Sequence, residues 1–442
     1  DEALLAFDGF LKGLPAGVQL FSLLKANPQL ADLLVTIVSV SPMLAAHLSR
    51  NAAVLDAVIG GDFFADWPGQ DALFQDLAAR LAALDDYEAQ LDGTRAWARE
   101  WHFRIGVHHL RGLTDGARAS AQYSDLARAV LRALWPVVIR EVSRRHGPPP
   151  GKGAVIVGMG SLGAGRLTAQ SDLDMIVIYD ADGVEASDGK RPLASRQYYA
   201  RLTQAMITAM SAPMAQGRLY ELDLRLRPSG NKGPVATSID SFASYQRNEA
   251  WVWEHLALTR AQVIAGPQAL ADEVEALRAE ILGAAHDIGR VCHETTQMRA
   301  RIAAAKSPEG VLDAKIGAGR LQDIELFAQA GALVGGAVTR DIPAGLSCAR
   351  RAGLVDAEGE AALVTAYETL WALQTATRLL SSRPLGISGL RSATLDFLMS
   401  SVGKFVQSDT VEDLEAQLTQ TYAAADRIIT AARAAHPSSG ET

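Results

Sequence analysis

Asp172 and Asp174 are carboxylates one residue apart at the head of a β-rich run, Asp172 to Asp180. On a strand the side chains alternate, so Asp172, Asp174, Ile176 and Ile178 share one face while Leu173, Met175, Val177 and Tyr179 share the other. Neighbouring like charges on a half-buried strand are unfavourable unless a cation lies between them, and the spacing suits one or two Mg²⁺ ions held by oxygen ligands. A third acid, Asp223, lies in RLYELDLRLRP, Arg218 to Pro228. Strict alternation there puts Tyr220, Leu222, Leu224 and Leu226 on one side and Glu221, Asp223, Arg225 and Arg227 on the other. A half-exposed strand with a polar outer face accounts for that pattern. If the strand instead pairs beside Asp172 to Asp180, Asp223 joins the other acids, and Arg225 and Arg227 supply phosphate-binding charge.

Upstream of the acids, Ala154 to Val157 form an apolar run that ends at glycines, so residues 154 to 180 read as strand, phosphate loop, strand. Gly158, Gly160 and Gly163 spell G-x-G-x-x-G, with Asp180 about 20 residues on, which satisfies the dinucleotide-binding fingerprint on paper. That fold needs a well-formed helix after the glycines and a second strand buried on both faces. Here the connector holds further glycines, the strand opens with two charges, and helices follow where a second βαβ half would stand. A nucleotidyltransferase reading uses the same residues differently. Gly160 and Ser161 present backbone amides and a hydroxyl to the β- and γ-phosphates of a nucleoside triphosphate, and Asp172 and Asp174 bind Mg²⁺.

These elements need a scaffold, and 442 residues at 48% hydrophobic can bury several cores. A net charge of -8 and a pI near 5.7 oppose general nucleic-acid binding. The acidic start, DEALLAFDGF, lacks signal-peptide character, no apolar run approaches a membrane span, and the two distant cysteines suit a reducing compartment, so a soluble, cytoplasmic protein is expected. The abrupt helical pattern at Asp1 suggests a fragment of a longer polypeptide. Residues 1–150 read as helical, with Asp71 as a helix N-cap, and HGPPPGKG at 146 to 153 breaks the pattern. An α/β core spans 151–265, including a helix from Ser195 to Met210 capped by Ser195. A helical bundle fills 266–442, with Leu363, Tyr367, Leu370 and Gln374 to Thr377 on one buried face and Val411, Leu414, Leu418, Tyr422 and Ala425 on another. Thr410 with Asp413 signals the cap of the last helix, and the tail from Pro437 reads as disordered. In DAKIGAGRLQDIEL, Asp313 to Leu326, Lys315, Asp323 and Glu325 suit either a solvated surface or a lid over an anionic ligand.

The order glycine-serine, spacer, acid-x-acid, later strand acid is that of the DNA polymerase beta type of nucleotidyltransferase. GMGSLGAGRLTAQSDLDMIVIYD, YELDLRLRPSGNKGPVATS, SFASYQRNEAWVWEHLALTRAQVIAG and DAKIGAGRLQDIELFAQ, in that order, resemble glutamine synthetase adenylyltransferase. RLRPSG and NEAWVWEH are closer to the C-terminal, adenylylating catalytic half of that family. The resemblance implies a mainly α protein with a central α/β nucleotidyltransferase core, a small mixed sheet, flanked by helical domains. It implies transfer of AMP from ATP to a tyrosine of glutamine synthetase, with a PII-type signal protein as regulator. Asp172, Asp174 and Asp223 match the family's acids as metal ligands and catalytic groups. Gly160, Ser161, Arg225, Arg227 and Lys315 are the expected nucleotide contacts. Departures are Ser161 where lysine is usual, Ala164 for a glycine, Arg166 for a glutamate and Arg320 for a glycine. Two alternatives stay open: phosphorolytic removal of AMP, which the resemblance assigns to the family's other half, and a regulatory nucleotide-binding module with a decayed site.

Overall fold

The computed structural model describes residues 28–50, 62–388, 390–408 and 410–436. The expectations for the start at Asp1 and for the tail from Pro437 lie outside these residues. Among the described residues five short strands form one mixed sheet: β1 (Gly153–Gly158), β2 (Leu173–Asp180), β3 (Leu222–Asp223), β4 (Thr237–Ser238) and β5 (Gln262–Ala265). β1 runs antiparallel to β2 on one side and to β5 on the other. On its far side β2 pairs in parallel with β3 near its start and with β4 near its end. The remainder is largely helical, as expected of a mainly α protein with a small mixed sheet.

β1 shows no polar alternation because both faces are covered. Ala154 and Ile156 enter one core with Leu126, Leu134, Trp135, Tyr199 and Met206. Val155 and Val157 enter another with Phe242, Leu256, Leu270 and Leu333. A strand buried on both sides needs an apolar run, and the sequence supplies one. The first cover is built on the helix Gly116–His146, which opens at Asp115, whose side chain accepts from the Arg118 N–H, and ends at Gly147 with φ 81°. A third core joins the helices Ala357–Leu380 and Val411–Ala434 to Pro28–Val40 and Pro42–Arg50, through Leu34, Ile37, Leu44, Leu370, Leu379, Leu414 and Leu418. Leu363, Tyr367, Leu370 and Gln374 to Thr377 are buried as their spacing requires, as are Leu414, Leu418, Tyr422 and Ala425, and Thr410 accepts from the Asp413 N–H.

Three local expectations fail for identifiable reasons. Ser195 is the first residue of its helix, not the cap; its hydroxyl instead donates to the Val184 carbonyl, and Ala194 holds the cap position. Asp71 lies in the first turn of Gln70–Ala82 behind Gly69, whose φ of 84° makes the corner, and its carboxylate pairs with Arg132 at 2.6 Å. The alternation of Arg218 to Pro228 yields only the two-residue β3. The chain turns after Leu224, because the buried Arg227 guanidinium takes its acceptors from the Leu224 and Gly233 carbonyls at 2.7 and 3.3 Å.

The lead into β3 is anchored from the helical side. Arg95, fully buried, donates to the Ala209, Ala212 and Gly217 carbonyls at 2.7, 3.0 and 2.7 Å, closing the end of the helix Ser195–Ser211. No helix among the described residues is long and apolar enough to cross a membrane.

Candidate active site

The site is built where β1 ends. Its final residues feed a one-turn helix, Gly160–Gly163, and the Met159 N–H donates to the Asp174 carbonyl at 2.8 Å, fastening the turn to β2. Gly160 adopts φ 51°, and a Cβ there would stand 2.4 Å from Asp174 Oδ2. Glycine is thus required twice over, by backbone conformation and by the carboxylate packed against it. At the other end of the turn, Arg128 donates to the Leu162 and Gly163 carbonyls and to the Gln262 side chain of β5.

Asp174 and Asp223 are register partners on β2 and β3. Asp174 is half-buried, and its carboxylate forms no hydrogen bond among the described residues. Burial, then the Asp223 charge, holds its carboxyl above the ordinary carboxylate range, while Lys315 and Arg260 pull it back. Asp223 behaves oppositely. Arg225 wraps it, donating from its backbone at 2.8 Å and from Nε at 2.7 Å, and holds its carboxyl below the ordinary range. Asp172 is exposed immediately before β2.

Among the described residues no three His, Cys, Asp or Glu side chains are gathered as a ready metal set, so the three expected acids are not brought together as one cluster. Two of them still suit Mg²⁺, which usually takes one or two carboxylates and completes its shell with substrate phosphates and water. The unpartnered Asp174 beside a second carboxylate is the donor chemistry such an ion needs. The Arg225 side chain is 74% exposed, and an ion pair in that setting contributes only about 0–1 kcal/mol, so it presents a low barrier to freeing Asp223.

Of the other expected nucleotide contacts, Gly160 and Ser161 lie in the turn beside Asp174. Lys315 is exposed, within electrostatic reach of Asp174. Arg227 is turned into its own loop and offers no free fork. Asp323 is neither surface nor lid: it is buried, accepts from the Gly319 N–H at 2.8 Å and pairs with Arg299 at 2.8 Å. Arg320 crosses the loop to the Gly310 carbonyl and stacks on Tyr422, and Arg166 sits over Tyr367.

Arg260 escaped sequence reasoning. It is buried, with Nε donating to the Gly160 carbonyl at 3.0 Å, one terminal nitrogen to Ser161 Oγ at 3.3 Å and the other to Glu325 at 2.7 Å. Burial works most strongly against its charge, but Glu325, Tyr367 and Asp174 together outweigh it and the guanidinium stays above its ordinary value. No spacing rule joins residues 65 positions apart; the one available signal was an arginine placed between an apolar helix and an apolar strand.

Both strand acids fall inside residues 31–277, the region matched by the model of the family described as glutamate-ammonia ligase adenylyltransferase. The chain belongs to this family. Similar curated proteins carry the name bifunctional glutamine synthetase adenylyltransferase/adenylyl-removing enzyme. One from Brucella melitensis is 46% identical over 76% of this chain and 34% of its own length. One from Mesorhizobium japonicum is 45% identical over 90% of this chain and 41% of its own length. A more distant family member, from Bartonella quintana, is 39% identical over 91% of this chain and 42% of its own. The chain therefore spans well under half the length of these relatives.

Proposed function

We propose that the chain transfers AMP from ATP to a tyrosine hydroxyl of glutamine synthetase, in the cytoplasm, and releases pyrophosphate. The observation that carries this reading is the in-register pairing of Asp174 with Asp223 beside Gly160. Two acids facing a glycine turn suit phosphoryl chemistry and have little purpose in a dinucleotide fold. The relatives' printed name supports the substrate.

In this mechanism Gly160 and Ser161 hold the β- and γ-phosphates, with Lys315 and Arg225 neutralising charge as it develops on the leaving pyrophosphate. Asp174 and Asp223, with Asp172 at the rim, are the residues that would hold Mg²⁺, which would supply charge neutralisation on the triphosphate and a lowered pKa for the acceptor hydroxyl. The tyrosine oxygen attacks the α-phosphorus, the bond from that phosphorus to the bridging oxygen breaks, and the hydroxyl proton leaves to Asp223 where that carboxylate acts as base rather than as metal ligand. A PII-type protein is the regulator expected at the helical flanks.

The relatives' name covers both addition and removal of AMP, and RLRPSG and NEAWVWEH favour addition. Incubation with glutamine synthetase and α-labelled ATP tests this. Label on glutamine synthetase is expected with the parent chain and not with Asp174→Asn. Release of AMP groups without any addition would overturn the assignment.

A further inference from the structure

Arg260 occupies an unusual position. Its three donor directions go to three different places: the carbonyl of Gly160, the hydroxyl of Ser161 and the carboxylate of Glu325. The first two belong to the phosphate turn, and the third belongs to the helix Leu321–Val334, from the following helical region. The pair is enclosed, with side-chain exposures of 8% and 12%, so solvent screens it little. The turn packs directly on the Arg260 backbone, since a Cβ on Gly163 would lie 1.9 Å from the Arg260 carbonyl. The same helix also fixes the Lys315 loop. Asp323, in its first turn, accepts from the Gly319 N–H and is itself held by Arg299 and Arg433.

We propose that Glu325 is a positioning residue for nucleotide binding: by fixing the Arg260 guanidinium it holds Gly160 and Ser161 in their phosphate-binding arrangement. The turn then keeps that arrangement only while the helix Leu321–Val334 is docked. A guanidinium serves three directions at once through a rigid fork, which a lysine ammonium on a flexible stem cannot reproduce in the same plane. Glu325 acts through Arg260, to which its carboxylate is bound. The proposal rests on the nucleotidyltransferase reading above and adds a coupling between the helical region and the turn.

The test uses the full chain and Mg-ATP. Glu325→Gln keeps the shape and a hydrogen-bond acceptor but removes the charge, and Arg260→Lys keeps the charge but removes the fork. Both are expected to weaken Mg-ATP binding, measured by calorimetry, by about tenfold or more, equivalent to about 1.4 kcal/mol. The turnover number at saturating ATP should change less than the affinity. Glu325→Asp, which retains the charge, should recover part of the affinity. Arg247→Gln, which breaks the exposed pair with Glu280, is the control and should leave affinity unchanged. A purely structural pair would lower the melting temperature of Glu325→Gln while leaving the affinity of the folded fraction intact, and that result overturns the proposal. A parent chain that binds Mg-ATP but transfers no AMP overturns the assigned reaction and leaves this coupling measurable. A parent that binds no Mg-ATP overturns both.

Discussion

Asp174 and Asp223 stand opposite one another on adjacent parallel strands, so both carboxylates leave the sheet on the same side. Strands lie about 4.8 Å apart, close enough for each charge to oppose ionisation of the other. Arg225 relieves Asp223, whereas Asp174 meets the repulsion together with partial burial.

Asp174→Asn is therefore expected to abolish AMP transfer while raising the melting temperature at neutral pH. A carboxyl whose folded pKa is raised binds more protons folded than unfolded, so its ionisation destabilises the fold above the unfolded pKa. Stability of the parent should rise as pH falls through the folded pKa of Asp174, and that contribution should vanish in the variant. Calorimetric melting across pH 4–7 checks the sign.

Arg225→Ala removes the partner that holds the Asp223 carboxyl low. Its pKa should return upward, moving the acid limb of the pH–rate profile to higher pH with the stability change confined to about 0–1 kcal/mol. The stability due to this pair is present above the unfolded pKa of Asp223 and is lost as pH falls through the folded one. Titration of the rate between pH 4 and 8 reads the shift.

Gly160→Ala places a methyl group against Asp174 in a backbone region that side chains avoid. Mg-ATP affinity and turnover should together fall by about 10²-fold, the scale of a displacement near 1 Å at a reacting centre. Gly69→Ala, with a similar φ but open surroundings, should leave catalysis unchanged.

Lys315→Ala takes away the exposed cation that offsets the Asp174 charge. Turnover should drop by about 10-fold or more, and the parent's advantage over the variant should shrink as salt rises, because the Debye length falls from about 10 Å at 0.1 M to about 3 Å at 1 M. A salt series on both proteins tests this.

Much of the scaffold was legible because burial imposes a period. The run from Ala154 to Val157 had to be covered on both faces, and the stripe from Leu363 to Thr377 had to face a core. The facing pair Asp174 and Asp223 was legible on the condition that two separate strands met. What stayed hidden depended on one residue of register or on contacts far apart in sequence. Ser195 and Asp71 missed their caps by one and two positions. Arg227 broke an alternation to find acceptors for a buried guanidinium, and Arg260 met Glu325 only through tertiary packing. Periodicity describes faces; it does not describe which distant charge a buried arginine requires.

The proline-rich link at 147–152 is tied down at several points. The Tyr198 hydroxyl donates to the Gly147 carbonyl at 3.0 Å, the Tyr199 hydroxyl to that of Pro150, and the helix before the link lies against the sheet after it. A truncated chain begun at Gly151 would strip β1 of Leu126, Leu134 and Trp135 and leave that apolar sheet face only partly covered, by Tyr199 and Met206 of the helix Ser195–Ser211. Such a piece should aggregate when expressed alone, so the excisable catalytic unit has to reach back to Gly116 or earlier.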